Sequence, residues 1–207
     1  MAKIRDEGAL RRLYGEPAGR SVAKQLDRLD PHCRAFIALS PFVLIATANA
    51  QGATDVSPRG DAPGFVAATE RDLLIPDRPG NNRLDSLTNI LATGQVGLLF
   101  LIPGVDETLR VNGRAAIHDD TGLTARFAVG GKAPRTVLKV EVEEAYLHCA
   151  KAFMRSRLWD AEAQVERSVL PTMGEMLRDQ IAGKTGEVGG DAESQQAMVA
   201  RYRGILY

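Results

Sequence analysis

The sequence predicts a mainly β protein with flanking helices, in which the strands close into a small barrel. About six or seven short strand-like segments, separated by turns, occupy the middle of the 207-residue chain. Only one or two short helical segments interrupt them, whereas a parallel α/β sheet alternates its strands with helices. We therefore expect a helical extension over residues 1–40, a barrel domain over 41–145 and a helical C-terminal segment over 146–207.

The N-terminal region is predicted to be helical. In Ala18–Leu29, apolar residues recur three to four positions apart with charged residues between them, which is typical of an amphipathic helix. Pro31 suits a first helical position, so we expect His32–Leu39 to form a second, short apolar helix. We interpret this region as packing scaffold.

Two predicted strand pairs follow. Phe42–Asn49 is rich in β-branched and small apolar residues and runs into a turn at Gly52, after which Ala53–Ser57 returns as the second strand. Gly64–Thr69 and Asp72–Pro76 are expected to form a hairpin. These segments supply the first half of the predicted barrel.

The second half of the barrel begins after a helix. Leu84–Ala92 has helical spacing, and Gln95–Ile102 reads as a buried strand. Glu107–His118 alternates apolar residues with others and is the longest strand candidate. A short helix over Thr121–Val129 separates it from Thr136–Val142, which alternates again.

The C-terminal segment is expected to contain helices joined by charged loops. The predicted helices are Ala150–Trp159, Pro171–Ala182 and Ala192–Tyr202. Gly183–Gly190 is predicted to be a flexible surface connection. Its Gly-Lys-Thr sequence resembles the end of a nucleotide-binding P-loop, but it lacks the upstream glycine and the preceding strand of that motif.

Composition excludes several classes of protein. The chain balances 26 lysines and arginines against 26 aspartates and glutamates, so it lacks the basic excess of a general polyanion binder. Aromatic residues make up 5% of the chain, which disfavours a stacking surface for single-stranded nucleic acid. No segment approaches the ~18 apolar residues of a membrane span, and the N-terminus is too charged for a signal peptide. We expect a cytoplasmic protein that binds neither nucleic acid nor membrane.

The cysteines predict neither a disulfide framework nor a metal site. The chain has two, Cys33 and Cys149, and each follows a histidine. Paired zinc ligands are normally separated by two or more residues, so adjacent His-Cys pairs do not match a zinc motif. We expect reduced thiols and no metal.

Three polar clusters interrupt the apolar segments, at residues 55–64, 75–83 and 148–159, while the usual enzyme motifs are absent. The second cluster places arginines, amides and backbone N–H groups just before the Leu84–Ala92 helix. A helix dipole, free amides and bidentate guanidinium groups together hold a phosphate. For this segment alone, a solvated turn rich in Pro, Gly and Asn remains the alternative.

In combination, the clusters resemble the flavin site of the pyridoxamine 5'-phosphate oxidase-like family over roughly residues 36–159. The Asn-Asn-Arg turn that ends at Arg83 is similar to that of an uncharacterised flavin-binding subgroup. The resemblance otherwise rests on the order of six features: Phe42–Asn49, the Gly52 turn, the Ser57-Pro58-Arg59 strand exit, the Leu74–Arg83 strand-to-helix segment, Val96–Ile102, and the Arg-Val-x-Gly pattern that begins at Arg110.

The resemblance implies a six-stranded Greek-key split β-barrel. It also implies a homodimer with two FMN molecules at the subunit interface. The C-terminal segment is expected to pack on the barrel and on this interface. By the same resemblance, Ser57 and Arg59 lie where the second strand lines the flavin. Arg78, Asn82 and Arg83 lie where the family binds the flavin phosphate.

Three further residues are expected to approach the flavin from the partner subunit: Lys151, Arg155 and Trp159. The resemblance places Lys151 near the pyrimidine edge of the flavin ring. A cation at that edge stabilises negative charge on the reduced flavin, which gives the assignment a physical reason.

The chain departs from authentic pyridoxamine phosphate oxidases at two places. Those enzymes keep a basic, histidine-containing segment near the C-terminus that binds the substrate phosphate, whereas residues 160–207 here carry five positive and eight negative charges. The phosphate-site turn has asparagines where those oxidases have more basic residues. Both differences argue against vitamin B6 oxidation and leave flavin binding intact.

The expected function is FMN-dependent oxidoreduction of an unidentified small substrate, bound over the exposed flavin face near Arg59 and Lys151. No side chain is assigned as an acid or a base. One alternative is a flavin carrier or sensor without dedicated catalysis. Another is a split barrel that holds haem or a deazaflavin instead, although the three histidines of the chain give haem little support. The last is a cofactor-free barrel.

Overall fold

The chain folds around one antiparallel sheet, seen in a computed structural model that describes residues 3–186, 190 and 192–207. The strands are β1 Phe42–Ala48, β2 Thr54–Gly60, β3 Ala67–Ala68, β4 Asp72–Asp77, β5 Gln95–Leu101, β6 Thr108–His118 and β7 Thr136–His148. The helices are α1 Glu7–Tyr14, α2 Gly19–Ala23, α3 Pro31–Leu39, α4 Asp85–Thr93, α5 Thr121–Ala125, α6 Lys151–Ser156, α7 Met173–Thr185 and α8 Gln195–Gly204. Two single-turn 3-10 helices, Ala161–Ala163 and Arg167–Val169, lie between α6 and α7.

The strands follow the order β2-β1-β5-β6-β7-β4-β3, and neighbouring strands are antiparallel. This confirms the prediction of a mainly β protein with flanking helices. The sheet has seven strands where the resemblance implies six, because the two residues of β3 pair with β4. β2 and β3 are its edges and do not pair with each other in the described part of the chain, so a closed six-stranded barrel is not confirmed.

The core consists of alternate residues of the strands together with residues from two helices. Val43 and Ile45 of β1 and Phe100 of β5 are completely buried, as expected for alternating side chains on one face of a strand. Ile37 of α3 and Ile90 of α4 belong to the same apolar cluster. Burying such a side chain contributes about 1.5–3 kcal/mol relative to leaving it exposed, so this cluster holds the strands that carry the site.

β7 extends to His148, whereas the sequence predicts a strand that ends at Val142. Within the β6–β7 pair, Gly113 lies opposite Val142 and Asn112 lies opposite Glu144, so Glu143 is the extra residue of a β-bulge. An extra residue reverses the alternation of side chains along the strand. For this reason the regular alternation of apolar residues stops at Val142, although the strand continues to His148.

The predicted helix Ala18–Leu29 is wrong in length, because α2 ends at Ala23. Leu26 instead forms an isolated bridge with β7, in which its N–H and C=O bond to Ala145 at 3.0 and 2.9 Å. β4 pairs with β7 as far as Glu141, and the Val142 N–H still donates to the Arg71 carbonyl, so the backbone of β7 beyond Val142 is open to another partner. Sheet pairing therefore overrides the helical pattern of this segment.

The C-terminal helices also differ from the prediction in their bounds. α6 ends at Ser156, since Arg157 has a left-handed conformation with φ 52°. Thr172 and Glu175 form a capping box that starts α7. The structure shows no buried residue in α7 and one, Met198, in α8, so few contacts hold this segment to the sheet. Residues 187–189 of the predicted surface connection lie outside the described residues.

Two observations concern the described ranges as a whole. None of their helices combines the length and the apolar character that crossing a membrane requires. Over the same ranges, no three His, Cys, Asp or Glu side chains are grouped so that they could hold a metal ion.

Candidate functional site

A cavity of about 920 Å³ lies beside the edge strand β2, within the ~300–1,000 Å³ range of ligand pockets. Its walls are β2, the C-terminal end of β4, the loop 78–84 and the first turn of α4. Phe65 in the loop after β2, Arg135 and Thr136 at the start of β7, and Leu206 and Tyr207, which follow α8, complete the lining.

The cavity brings together polar clusters from opposite ends of the sheet. β2 is one edge strand and β4 is next to the other edge, yet both line the cavity. Arg59 Nη2 of β2 lies 3.5 Å from Asp77 Oδ1 of β4. The sheet therefore curls until its two ends approach each other, and this curvature forms the site.

Arg59 is held in the cavity wall by neighbouring acceptors. Its Nη1 donates to the Ser57 hydroxyl and to the Pro58 carbonyl, the latter at 3.1 Å. Its Nε is buried and has no hydrogen-bond partner in the described part of the chain. A buried donor without a partner costs about 1–3 kcal/mol, which a bound acceptor would offset.

Asp77 adds an ionisable carboxyl group to the same wall. Burial raises the pKa of this carboxyl above its ordinary value, and the opposing charge of Arg59 only partly offsets the rise. Asp77 lies opposite Thr136 in the β4–β7 pair, and the Thr136 hydroxyl is likewise buried without a partner among the described residues. This wall thus offers polar side-chain groups with unused hydrogen-bonding capacity.

Arg78 belongs to a buried network. Its Nε donates to Asp61 Oδ2 and its Nη1 to the Phe127 carbonyl, both at 2.8 Å. The Tyr207 hydroxyl donates to Asp61 Oδ1 at 2.6 Å. Burial by itself raises the pKa of Asp61. The hydrogen bonds from Tyr207 and Ala62, together with Arg78, outweigh burial and hold this pKa below its ordinary value.

Arg83 is exposed, in contrast to Arg78. Its Nε donates to Asp85 Oδ2 at 2.7 Å, and the two side chains are 72% and 46% exposed. Exposed pairs of this kind contribute about 0–1 kcal/mol, so Arg83 can exchange Asp85 for an anionic ligand at little cost. Asn82 and Leu84, on either side of it, have φ values of 57° and 62°. Left-handed backbone is unusual for leucine and occurs often at ligand-binding loops.

The N-terminus of α4 opens into the cavity without a side-chain cap. Leu84 at the N-cap position makes no capping hydrogen bond, and Asp85, Ser86 and Leu87 of the first turn line the cavity. The Ser86 hydroxyl donates to Asp55 of β2 at 2.5 Å, which ties the helix to the edge strand. Uncapped N–H groups and the helix dipole make this terminus suitable for an anion.

The structure brings together five of the eight residues predicted to bind the cofactor. All five line the cavity: Ser57, Arg59, Arg78, Asn82 and Arg83. The other three, Lys151, Arg155 and Trp159, do not line it. Trp159 Nε1 donates to the Val105 carbonyl at 2.9 Å, and its ring stacks on Phe153 with centroids 5.7 Å apart. A contribution of these residues to a partner's site remains a prediction.

The residues that sequence reasoning missed include Asp77, Thr136 and Tyr207, which line the cavity, and Asp61, which bonds to Arg78 and Tyr207 beside it. Asp61 and Asp77 lie inside the polar clusters at residues 55–64 and 75–83, so their membership of these clusters could have identified them as site residues. Thr136 and Tyr207 are more than 50 positions further along the chain, and no local pattern marks them.

Comparison with known proteins shows distant structural likenesses. A putative pyridoxamine 5'-phosphate oxidase from Lactobacillus delbrueckii is 20% identical, with 59% of this chain and 98% of that chain covered, at a TM-score of 0.47. HupZ from Group A Streptococcus is 16% identical, with 56% and 90% covered, at 0.44. HutZ, the heme storage protein from Vibrio cholerae, is 15% identical, with 58% and 94% covered, at 0.43. No curated protein matches the chain.

Family membership rests on the sequence match and not on these likenesses. The sequence model of the family described as pyridoxamine 5'-phosphate oxidase matches residues 29–149. The match begins before α3, ends just after β7, and includes the β2, β4 and α4 residues that line the cavity. It covers more than half of the chain, which therefore belongs to the pyridoxamine 5'-phosphate oxidase family.

Proposed function

We propose that this protein is an FMN-dependent oxidoreductase that acts on a small, unidentified substrate. One observation carries the proposal: a single cavity of about 920 Å³ gathers five residues that the family resemblance assigns to a flavin site, next to an uncapped helix N-terminus. Membership of the pyridoxamine 5'-phosphate oxidase family supports it. The sequence differences from authentic pyridoxamine phosphate oxidases argue that the substrate is not a B6 vitamer.

The residues of the cavity fit the cofactor. Arg83, Asn82 and the first-turn N–H groups of α4 would hold the phosphate, because they combine a replaceable ion pair with free donors. Arg59 and Thr136 contribute buried polar atoms without partners, which suit the polar edge of a flavin ring. FMN supplies the hydride or electron chemistry when bound, and the chain supplies binding and orientation.

Arg78 has a second role in this proposal. Its charge is balanced by Asp61, and their side chains are only 15% and 4% exposed. The Arg78 side chain is therefore less free than that of Arg83 to exchange its partner for a ligand. Its guanidinium adds positive charge near the phosphate and also holds the cavity wall in place.

The proposal includes the molecular context expected from the sequence. The curled sheet would be a six-stranded Greek-key split barrel with β3 as an added edge strand, and two chains would form a homodimer with FMN at the interface. Lys151, Arg155 and Trp159 would then reach the partner's cavity, which agrees with their position outside their own. We place the protein in the cytoplasm and assign it no metal.

The test is the visible spectrum of the purified protein, followed by titration of the ligand-free form with FMN. We expect flavin absorption bands. We also expect Arg83→Ala to weaken FMN binding by roughly 10- to 100-fold, since a hydrogen bond to a charged group contributes about 1.5–3 kcal/mol. Arg28→Ala is the control, because Arg28 is also exposed and paired with a carboxylate but lies outside the cavity and outside residues 148–159.

Several results would contradict the cofactor assignment. A colourless protein that takes up no FMN would remove the basis of the proposal. A haem Soret band, or binding of a deazaflavin in preference to FMN, would assign the cavity to another cofactor. Equal losses of affinity in Arg83→Ala and Arg28→Ala would show that the predicted phosphate site is wrong.

Reduction of the bound flavin separates an enzyme from a carrier or sensor. We expect rapid bleaching of the flavin bands by NADH or NADPH under anaerobic conditions. Indifference of the flavin to a broad panel of reductants would favour the carrier or sensor.

A further inference from the structure

The residues that follow α8 return to the wall of the cavity. Leu206 and Tyr207 line it. The Tyr207 hydroxyl donates to Asp61 Oδ1 at 2.6 Å, and Lys132 Nζ donates to the Tyr207 backbone oxygen at 2.9 Å. Arg78 Cζ lies 5.3 Å from the centroid of the Tyr207 ring, within the range of a cation–π contact. Three contacts from three parts of the chain thus converge on one residue.

The wall to which Tyr207 attaches is firmly held. The Asp61 side chain is 4% exposed, and it keeps the Arg78 ion pair at 2.8 Å. Arg78 is itself bonded to the Phe127 carbonyl. Asp61 and Arg78 therefore form a fixed acceptor and a fixed cation for the tyrosine.

The rest of the segment is weakly held. Ile205 and Leu206 are more than half exposed, although both are apolar. Within residues 205–207, the Ile205 N–H donates to the Tyr202 carbonyl at 3.0 Å. A short segment with few buried contacts can detach without unfolding the sheet, provided that the contacts at Tyr207 break.

We infer that residues 205–207 form a lid on the cavity, latched by Tyr207 on Asp61 and Arg78, which opens to admit and release the ligand. The identity of that ligand, FMN or the substrate that follows it, rests on the proposed function; the lid itself rests on the contacts above. A lid obstructs passage in both directions. Loosening the latch therefore raises the rate constants of binding and of release together and leaves the equilibrium affinity nearly unchanged.

The first test measures FMN binding and release by stopped-flow fluorescence in Tyr207→Phe. This variant keeps the ring over Arg78 and removes the hydrogen bond to Asp61. We expect both rate constants to rise at least about tenfold, because the lost hydrogen bond is to a charged group, and we expect Kd to change less than about twofold. Tyr14→Phe is the control, since Tyr14 lies in α1, is largely exposed, and has no hydroxyl partner in the described ranges.

Two results would overturn the lid. A rise in the release rate alone, with a matching loss of affinity, would make Tyr207 a ligand contact. Unchanged rate constants in Tyr207→Phe would show that the latch does not control passage.

The second test needs no ligand, so it judges the lid even if FMN does not bind. Backbone hydrogen exchange is measured over residues 201–205 in the ligand-free protein. We expect these amides to exchange several-fold faster in Tyr207→Phe than in the wild type and in Tyr14→Phe, because release of Tyr207 frees the last turn of α8. Equal exchange in all three proteins would overturn the lid. Faster exchange together with no FMN uptake would retain the lid and reject the proposed cofactor.

Discussion

Two aspartates in and beside the cavity wall respond to their surroundings in opposite directions. The Asp61 carboxylate is buried and that of Asp77 is partly buried, and each is paired with an arginine. Asp61 also accepts hydrogen bonds from Tyr207 and from a backbone N–H, and these outweigh the effect of burial and lower its pKa. Asp77 has Arg59 at 3.5 Å as its partner, and burial raises its pKa. The number of donors around each carboxylate decides the direction of the shift.

The acid dependence of stability follows from these directions. An aspartate with a lowered pKa binds fewer protons in the folded than in the unfolded chain. The stability that Asp61 contributes is therefore complete above about pH 4 and is lost as the pH falls through the folded-state pKa. We expect Asp61→Asn to be less stable than the wild type at pH 7, and the difference to shrink toward pH 3 in urea unfolding experiments.

Asp77→Asn is the matched control for this experiment, because its pKa is shifted the other way. Any stability that comes from the raised pKa of Asp77 is present at low pH and is lost as the pH rises through the folded-state value. The stability of the wild type relative to Asp77→Asn should therefore increase as the pH falls. The same pH trend for both variants would contradict this account of the two carboxylates.

The start of α4 is the element in which local structure and the site are most closely connected. Its preceding turn places Asn82 and Leu84 in left-handed conformations, and its first turn lines the cavity without a cap. A side chain at such a backbone position costs about 1–2 kcal/mol relative to the right-handed conformation. Stability is thus given up where the chain turns to present its N–H groups and Arg83.

Replacing Leu84 with glycine tests whether this strain is stored. Glycine adopts φ 62° without the Cβ penalty, although it also increases the freedom of the unfolded chain. We expect Leu84→Gly to leave the free energy of unfolding unchanged or to raise it by up to about 1 kcal/mol. Leu91→Gly, at an exposed position inside α4, should lower it by about 1 kcal/mol. Equal destabilisation in urea unfolding would mean that the turn is not strained.

The elements show why some of their bounds were predictable and others were not. β1 and β5 are apolar runs bounded by turns, and their predicted bounds agree with the structure to within one residue. The bulge at Glu143 reverses the alternation in β7, so periodicity loses the strand there. Leu26 leaves a helical pattern because an open stretch of β7 offers it backbone partners. Both failures come from partners that are distant in sequence.

The arrangement of the whole molecule raises the question of what completes the cavity. Five predicted site residues line it, while Lys151, Arg155 and Trp159 lie elsewhere on the same chain. In the proposed homodimer these three would serve the partner's cavity. Each site would then combine residues from both chains.

A mixed dimer tests this arrangement. Arg83→Ala and Lys151→Ala are each expected to damage both sites of their own homodimers. In a dimer of one Arg83→Ala chain and one Lys151→Ala chain, one site carries both changes and the other carries neither. We expect the purified mixed dimer to bind about half the wild-type amount of FMN at wild-type affinity. If each site were built within one chain, both sites of the mixed dimer would carry one change, and no wild-type site would be restored. Sedimentation of the wild type as a monomer would contradict the dimer itself.

Local features of the chain suffice to predict most of the strands, the polar turn before α4 and the family resemblance. Hydrophobic alternation, turn residues and clustered arginines are all short-range signals, and the family match over residues 29–149 agrees with them. The curvature that joins β2 to β4, the pairing of Arg59 with Asp77 and of Arg78 with Asp61, and the return of Tyr207 to the cavity follow only from the folded chain. These contacts connect residues up to 146 positions apart, and each depends on backbone pairing and burial that no neighbouring residue encodes.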